Sequence, residues 1–433
     1  RPLLATSWRQ PDPLTWEFAL RPGVTFQDGS PFSADDVVYT VNSVLDDPQT
    51  QVPSNYSWIA GAEKIDDRHV RLKLRRVFPA ALEYLAMTLP ILPQAYRERV
   101  GAAGYAAAPI GAGPYRFVQA QGSKRMVLER WGDYYADSPK GRPAIGRLDV
   151  TVVRDAEAEL DALLSHAADW IWYVSPEMLD RVDGDPTLTA MTQESMRLGY
   201  LSLDAAGRTG PDNPLTKLAV RQAIFLAVDR QAIVRKLTEP GARVLDVPCY
   251  PTQFGCEAGA AMRYGYDPAR ARQLLSDAGY PDGFDTEIVS YVQTSYGAAV
   301  RDDLAAIGIR AKLVQLPVAQ AVARSQLGED PMDMGSWGSF SINDVSAILP
   351  NFFGASPSDY AGDTELRELV RVGDSTTNID ERRKAYREAI RRITANAYWL
   401  PLNTYVTTYG VARELNFRAS SDELPRFFLS SWR

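Results

Sequence analysis

The amino-acid sequence predicts an α/β protein of two or three lobes, and three observations carry that expectation. The chain has 433 residues, more than one compact hydrophobic core ordinarily holds. From Thr286 to Leu316 the stretches TEIVSYV, GAAVRDDLAAIG and IRAKLVQL read as strand, helix and strand, long enough for a right-handed βαβ crossover. Near the start, LTWEFALR and HVRLKLRR alternate like half-exposed strands while ADDVVYTVNSVL has helical spacing, so the chain opens with an α+β lobe.

Taken in order, the first well-punctuated element is FQDGSPFSADDVV, Phe26 to Val38. Asp28-Gly29 reads as a tight turn and Ser33 as a helix N-cap, with Asp36 placed to reach back as a capping-box acid. After GAGPYRFVQAQ the stretches MVLERW and RLDVTVV continue a run of strands, and AEAELDALLSHA follows as an amphipathic helix, which reads as strand–helix alternation. LTKLAVRQAIFLAV predicts a helix ending near Asp229-Arg230, where DRQAIVRKL opens the next. In YDPARARQLLSDAGYPDGF, Asp267 is an N-cap, Pro268 occupies the first helical position and Gly279 stops the helix. A last helix, DERRKAYREAIRRITANA, leads into YWLPLNTYVTTYGV.

Composition narrows the function classes. Hydrophobic residues make up 45% and charged residues 23%, which suits a globular domain with a sizeable interior. A net charge of −7 argues against a nucleic-acid partner, whose phosphates need a basic face, and against an anionic membrane surface. The most apolar stretch, AALEYLAMTLPILP from Ala80, is broken by Glu83 and prolines and falls short of a bilayer span. RPLLATSW lacks the pattern of a secretory signal, which a processed chain would lack as well.

The chain has two cysteines, Cys249 and Cys256, in PCYPTQFGCE; they either close a small disulfide loop or remain buried thiols. With two histidines and no CxxC, no metal site and no cofactor is expected. Enzyme signatures fail as well: no G-x-S-x-G, P-loop, H-E-x-x-H or G-x-G-x-x-G occurs, and GAGPYR has proline where a phosphate-binding helix would begin. Adjacent acids such as Asp302-Asp303 point to different sides of a helix and read as a solvated face. What remains is a set of aromatics near turns: Trp58, Tyr250, Phe254, Trp337, Phe340, Phe352, Phe353 and Tyr405. Singly each reads as core, but in loops such as GSWGSFSIND, rich in turn residues, they suggest a ligand-facing wall.

Four stretches carry a resemblance. WEFALRPGVTFQDGSPFSADDVV, GAGPYRFV, VRQAIFLAVDRQAIV, and YDPARARQLLSDAGYPDGF followed by LAAIGI stand in order from Trp16 to Ile309, with weaker similarity to the end. Together they resemble the ABC-importer extracytoplasmic solute-binding proteins of family 5, the dipeptide, oligopeptide and nickel binders. The resemblance implies a two-lobed periplasmic-binding-protein clamshell of type II-like fold with an extra α+β domain, closing on its ligand by hinge motion. It places the extra domain at 1–105, part of the first lobe at 106–199, the second lobe at 200–400 and a return to the first lobe at 401–433, with the N-terminal part of the first lobe missing. It further implies a monomer in the periplasm, or lipid-anchored outside the cell, whose partners are a small-molecule ligand and an ABC membrane permease, and which is not an enzyme.

Two departures concern specificity. Peptide-binding relatives carry an Asp three residues after a Trp to hold the peptide ammonium, and here that place is Phe340. The Arg that holds a dipeptide carboxylate corresponds to Thr294 or Ser295. The expectation is that free dipeptides are not held by that clamp, with Asn343 and Asp344 close enough in sequence to substitute. The ligand is then a small organic solute, opine-like, a sugar conjugate or an unusual peptide. Its aromatic wall would be Trp337, Phe340, Tyr250, Phe254 and Tyr405, with Ser341, Asn343 and Ser295 setting orientation. On this reading Trp337→Ala weakens binding by about tenfold or more and leaves the melting temperature unchanged. A metal-chelate carrier is the alternative and a cleft hydrolase a remote one.

Overall fold

In the computed structural model, which describes residues 2–48, 50 and 52–433, the chain forms two units. Unit 1 collects Arg1–Met191, Thr408–Ser420 and Leu424–Arg433; unit 2 collects Thr192–Thr407 and Ser421–Glu423.

Unit 1 begins with strands β1 (Ala5–Asp12) and β2 (Thr15–Leu20), helix α1 (Ala34–Asp46), and strands β3 (Ile59–Asp66) and β4 (His69–Leu74). The strands make an antiparallel sheet in the order β1-β2-β4-β3. The predicted capping box sets the start of α1: one carboxylate oxygen of Asp36 accepts from the Ser33 backbone N–H at 2.8 Å and from its hydroxyl at 3.1 Å. The other oxygen accepts from the Gln94 N–H at 2.9 Å, so the same acid fixes the start of the helix at Gln94–Ala107. Leu20, Val24, Phe26, Phe32, Ala34 and Val70 fill the core beneath.

Helices α2 (Ala81–Thr88) and α3 (Gln94–Ala107) lead to β5 (Tyr115–Gln121), β6 (Arg125–Arg130) and β7 (Arg147–Thr151). These last strands form their own antiparallel sheet. The run of strands read from this stretch is present as a meander, since the link Gly122–Lys124 is far too short for a parallel crossover, and strand–helix alternation begins with the helix that follows β7. Helices α4 (Ala156–Leu164) and α5 (Leu179–Asp183) flank strand β8 (Trp170–Ile171), which pairs with the Gly410–Val411 end of a later strand.

Unit 2 is built on β9 (Leu188–Leu203, from Thr192), β10 (Phe284–Ser290), β11 (Ile309–Gln315), β12 (Met332–Trp337) and β13 (Trp399–Ala412, to Thr407). Their order is β11-β10-β12-β9-β13. Helices α6 (Leu218–Ala227), α7 (Arg230–Leu237), α8 (Pro268–Asp277) and α9 (Thr294–Ala305) pack a core around Leu201, Ile224, Leu275, Ile288 and Val300. The predicted βαβ unit is present: β10 and β11 pair in parallel from Phe284↔Ile309 to Ser290↔Gln315, with α9 between them in sequence. Asp267 caps α8 by accepting the Arg270 N–H, and Gly279 ends it at φ +93°, a left-handed conformation that a side chain would strain.

Helices α10 (Val318–Leu327), α11 (Leu349–Phe353), α12 (Thr364–Gly373) and α13 (Ile379–Ala395) complete unit 2. A second core holds Leu198, Tyr200, Phe352, Tyr386 and Trp399. Alternation along β9 explains both cores, since Leu198 and Tyr200 face one and Leu201 and Leu203 the other.

Candidate functional site

Within unit 2 a cavity of about 590 Å³ opens where several strands end. Strand β12 delivers Ser336 and Trp337, and the chain then turns through Ser339, Phe340 and Ser341, at φ 51°, 50° and 62°. Three successive non-glycine residues in the left-handed region are energetically unfavourable, and such backbone concentrates at functional sites. Past the end of β10 come Tyr291, Val292 and Gln293; α10 adds Val318 and Val322, and β13 adds Tyr405.

The polar part of the lining is a charged pair. Arg197, on β9, meets Glu423 through Nε at 3.2 and 3.3 Å and through Nη2 at 2.8 Å. Its Nη1 donates to the Ser336 hydroxyl at 3.4 Å. Burial works against the Arg197 charge, but hydrogen bonding and charge from Glu423 outweigh it and hold the guanidinium above its ordinary pKa. Around the pair the geometry is fixed by other bonds. Tyr291 donates to the Ser336 carbonyl at 2.7 Å and accepts from its N–H at 2.9 Å. The Ser341 hydroxyl donates to the Asp422 carbonyl at 2.9 Å, tying the left-handed loop to the segment that carries Glu423.

Of the predicted site residues, Trp337, Phe340, Ser341 and Tyr405 line this cavity. Phe340 is 41% exposed and meets Trp337 edge to face. Trp337 plays two parts: its indole N–H donates to the Ala347 carbonyl at 2.9 Å and its ring packs on Phe352 of the second core. The expectation that its truncation leaves the melting temperature unchanged is therefore corrected, since that ring is also core.

The other four residues lie elsewhere. Cys249 and Cys256 are joined as a disulfide, and the loop they close turns its aromatics to structural partners. The Phe254 ring is covered by the guanidinium groups of Arg382 and Arg383, and Tyr250 is buried with its hydroxyl 3.3 Å from Glu194. Asn343 is exposed, and its carbonyl accepts the Phe254 N–H. Ser295 is exposed in the first turn of α9 and outside the lining, although its neighbour Gln293 belongs to it. Asp344, offered from sequence as a substitute for the missing ammonium ligand, is committed to Arg382 and to the Ser346 N–H.

Sequence reasoning missed Arg197, Tyr291 and Glu423. A lone cation in the apolar run MRLGYLSL was the one local signal for Arg197, whereas Glu423 sits in SSDELPRF with nothing nearby to distinguish it.

The architecture defines a class. The ABC transporter substrate binding protein CtaP of Listeria monocytogenes superposes with a TM-score of 0.88 at 22% identity, over 100% of this chain and 91% of that one. The fold is thus that of ABC-transporter solute-binding proteins. The model of the bacterial extracellular solute-binding proteins, family 5 Middle, matches residues 1–360, and the chain belongs to that family. Di/tripeptide-binding protein 1 of Pseudomonas aeruginosa is 28% identical over 469 residues, spanning 99% of this chain and 85% of the relative. Heme-binding protein A of Haemophilus influenzae is 27% identical over 440 residues, spanning 93% and 78%. Proteins of this extracytoplasmic family bind small ligands and work with ABC permeases, and these relatives are binding proteins rather than enzymes. Among the described residues no helix is long and apolar enough to cross a membrane.

Proposed function

We propose that the unit-2 cavity receives a small organic solute, peptide-like, opine-like or a sugar conjugate, which the protein carries to an ABC import permease by hinge closure. The observation that carries this reading is one cavity in which the rings of Trp337, Phe340 and Tyr405 stand around the Arg197–Glu423 pair. Rings supply apolar contact and a stacking surface, while the pair and the serines fix orientation. No chemistry on the solute is required; preference for the closed form is what a transporter would read.

On the family resemblance Phe340 takes the place of the ammonium ligand of peptide-binding relatives, and Asp344 is taken by Arg382. A free dipeptide would thus have to be held by other groups. Native mass spectrometry of protein from its own source, followed by tryptophan-fluorescence titration of the recovered compound, tests the reading. The compound should rebind and lose about tenfold or more in affinity in Tyr405→Ala. Unchanged affinity in that variant, or consumption of the compound, would refute it.

A further inference from the structure

Resting on the reading of this cavity as the solute site, the charge class of the solute can be inferred. The Nε–Nη2 edge of a guanidinium is a planar fork that matches a carboxylate, and here Glu423 occupies it. We infer that Glu423 is a resident stand-in for a carboxylate of the solute, which displaces it from Arg197 and takes a further hydrogen bond from Ser339.

Four independent features point this way. Ser339 is 1% exposed and lines the cavity, yet its hydroxyl has no hydrogen-bond partner among the described residues. Buried hydroxyls are rarely left unmatched, so this one, in a residue of the cavity wall, has a hydrogen bond to give once a ligand enters and the wall adjusts. Second, the Glu423 carboxylate is held by Arg197 alone among the described residues, so a single exchange frees it. Third, Glu423 has φ 61°, and with Ser339, Phe340 and Ser341 it makes four of the seven non-glycine residues with positive φ among those described. The stand-in is therefore carried on backbone of the unfavourable kind that concentrates at functional sites. Fourth, a Cβ on Gly338 would come within 3.2 Å of Arg197 Nη2, so glycine there leaves the guanidinium its place in the cavity wall.

The rival arrangement keeps the pair intact and lets it grip a zwitterion, the cation on Glu423 and the anion on Arg197. It is disfavoured because the fork is already filled: a second carboxylate beside Glu423 on one guanidinium leaves a partly buried negative charge uncompensated.

One scaffold in four charge states separates these outcomes: indole-3-propionate, its amide, tryptamine and tryptophan, chosen because the wall is aromatic. Calorimetric titrations use the full chain and its Glu423→Gln and Arg197→Met variants, each first shown to melt cooperatively. Displacement is supported if indole-3-propionate outbinds its amide, gains about tenfold in Glu423→Gln and loses its advantage in Arg197→Met. It is overturned if Glu423→Gln instead weakens tryptophan or tryptamine and leaves the carboxylate unchanged, which is the zwitterion grip. Equal binding of carboxylate and amide in all three proteins overturns the anion position alone and leaves the cavity as the solute site. Absence of binding by all four compounds overturns this inference, while the cavity as solute site is decided separately by titration of the recovered compound against Tyr405→Ala.

Discussion

Arg382 and Arg197 each face a carboxylate in unit 2, but their surroundings differ. The Arg382–Asp344 side chains are 7% and 5% exposed, and both groups serve several partners. Arg382 also donates to the Gly373 carbonyl and the Tyr386 hydroxyl, and Asp344 accepts the Ser346 N–H. The Arg197–Glu423 side chains are 38% and 21% exposed, and the Glu423 carboxylate has the one partner among the described residues. The first pair is a closed network in which each member satisfies the others; the second is an open one with capacity to exchange. Two guanidinium–carboxylate pairs thus divide into scaffold and proposed site by their remaining partners.

Removing one member tests that division most strongly. Asp344→Ala strands a buried guanidinium and removes a turn cap, and should cost about 3–5 kcal/mol in urea denaturation. Glu423→Ala, on the open pair, should cost ~0–1 kcal/mol. Similar losses from both would erase the distinction.

A third acid near the cavity sharpens the contrast through pH, because its hydrogen bonds come from neutral hydroxyls. Asp333 lies on β12, buried, with the Tyr200 hydroxyl at 3.3 Å and the Ser325 hydroxyl at 3.4 Å. Burial, reinforced by the charge of Asp330, pushes its carboxyl up to about 7 despite the hydrogen bonds from Tyr200 and Ser325. Asp330 is itself pushed up to about 6, by burial first and by Glu329 and Glu287, against the pull of Arg324 and Arg208. A raised folded-state pKa means that the native state holds the proton more tightly than the unfolded chain. Stability from Asp333 is then fully present below the ordinary carboxyl value and is lost as pH rises to about 7, with Asp330 adding the same sign up to about 6. Asp333→Asn should flatten this slope and, at pH 8, stabilise the protein by on the order of 2–4 kcal/mol relative to wild type. Denaturant midpoints at pH 5 and pH 8 measure it, and an unchanged slope would show that the acid is not desolvated as the structure has it.

The same contrast explains what could be read from sequence. Local chemistry was legible: Ser33 with Asp36, Asp267 with Pro268 and Gly279, and the β10–α9–β11 unit are each written within a short run of residues. The cavity wall was legible in part, because aromatics among Gly and Ser marked Trp337, Phe340 and Ser341, which line the proposed site. The disulfide-closed loop has the same composition but turns Phe254 onto Arg382 and Arg383, and composition cannot tell a ring that stacks on a structural cation from one that faces a solute. Arg197 and Glu423 are 226 residues apart, and their meeting depends on the folded path of the chain rather than on any pattern in either segment.

The smallest stability effect, and the cleanest separation of wall from scaffold, is expected at Phe340. Its backbone sits at φ 50° and its ring is 41% exposed, with Trp337 at 5.2 Å edge to face. In Phe340→Gly the left-handed conformation becomes unstrained, a gain of about 1 kcal/mol. Loss of the ring pair, about 0.5–1.5 kcal/mol, and the greater freedom of glycine in the unfolded chain oppose it. The terms nearly cancel, so the melting temperature should move little, while binding of indole-3-propionate should fall about tenfold because one side of the aromatic wall is gone. Trp337→Ala cannot make this separation, since its ring also packs on Phe352 and must lower stability together with affinity. A large drop in melting temperature for Phe340→Gly would place that ring with Trp337 in the core, and unchanged affinity would remove it from the wall.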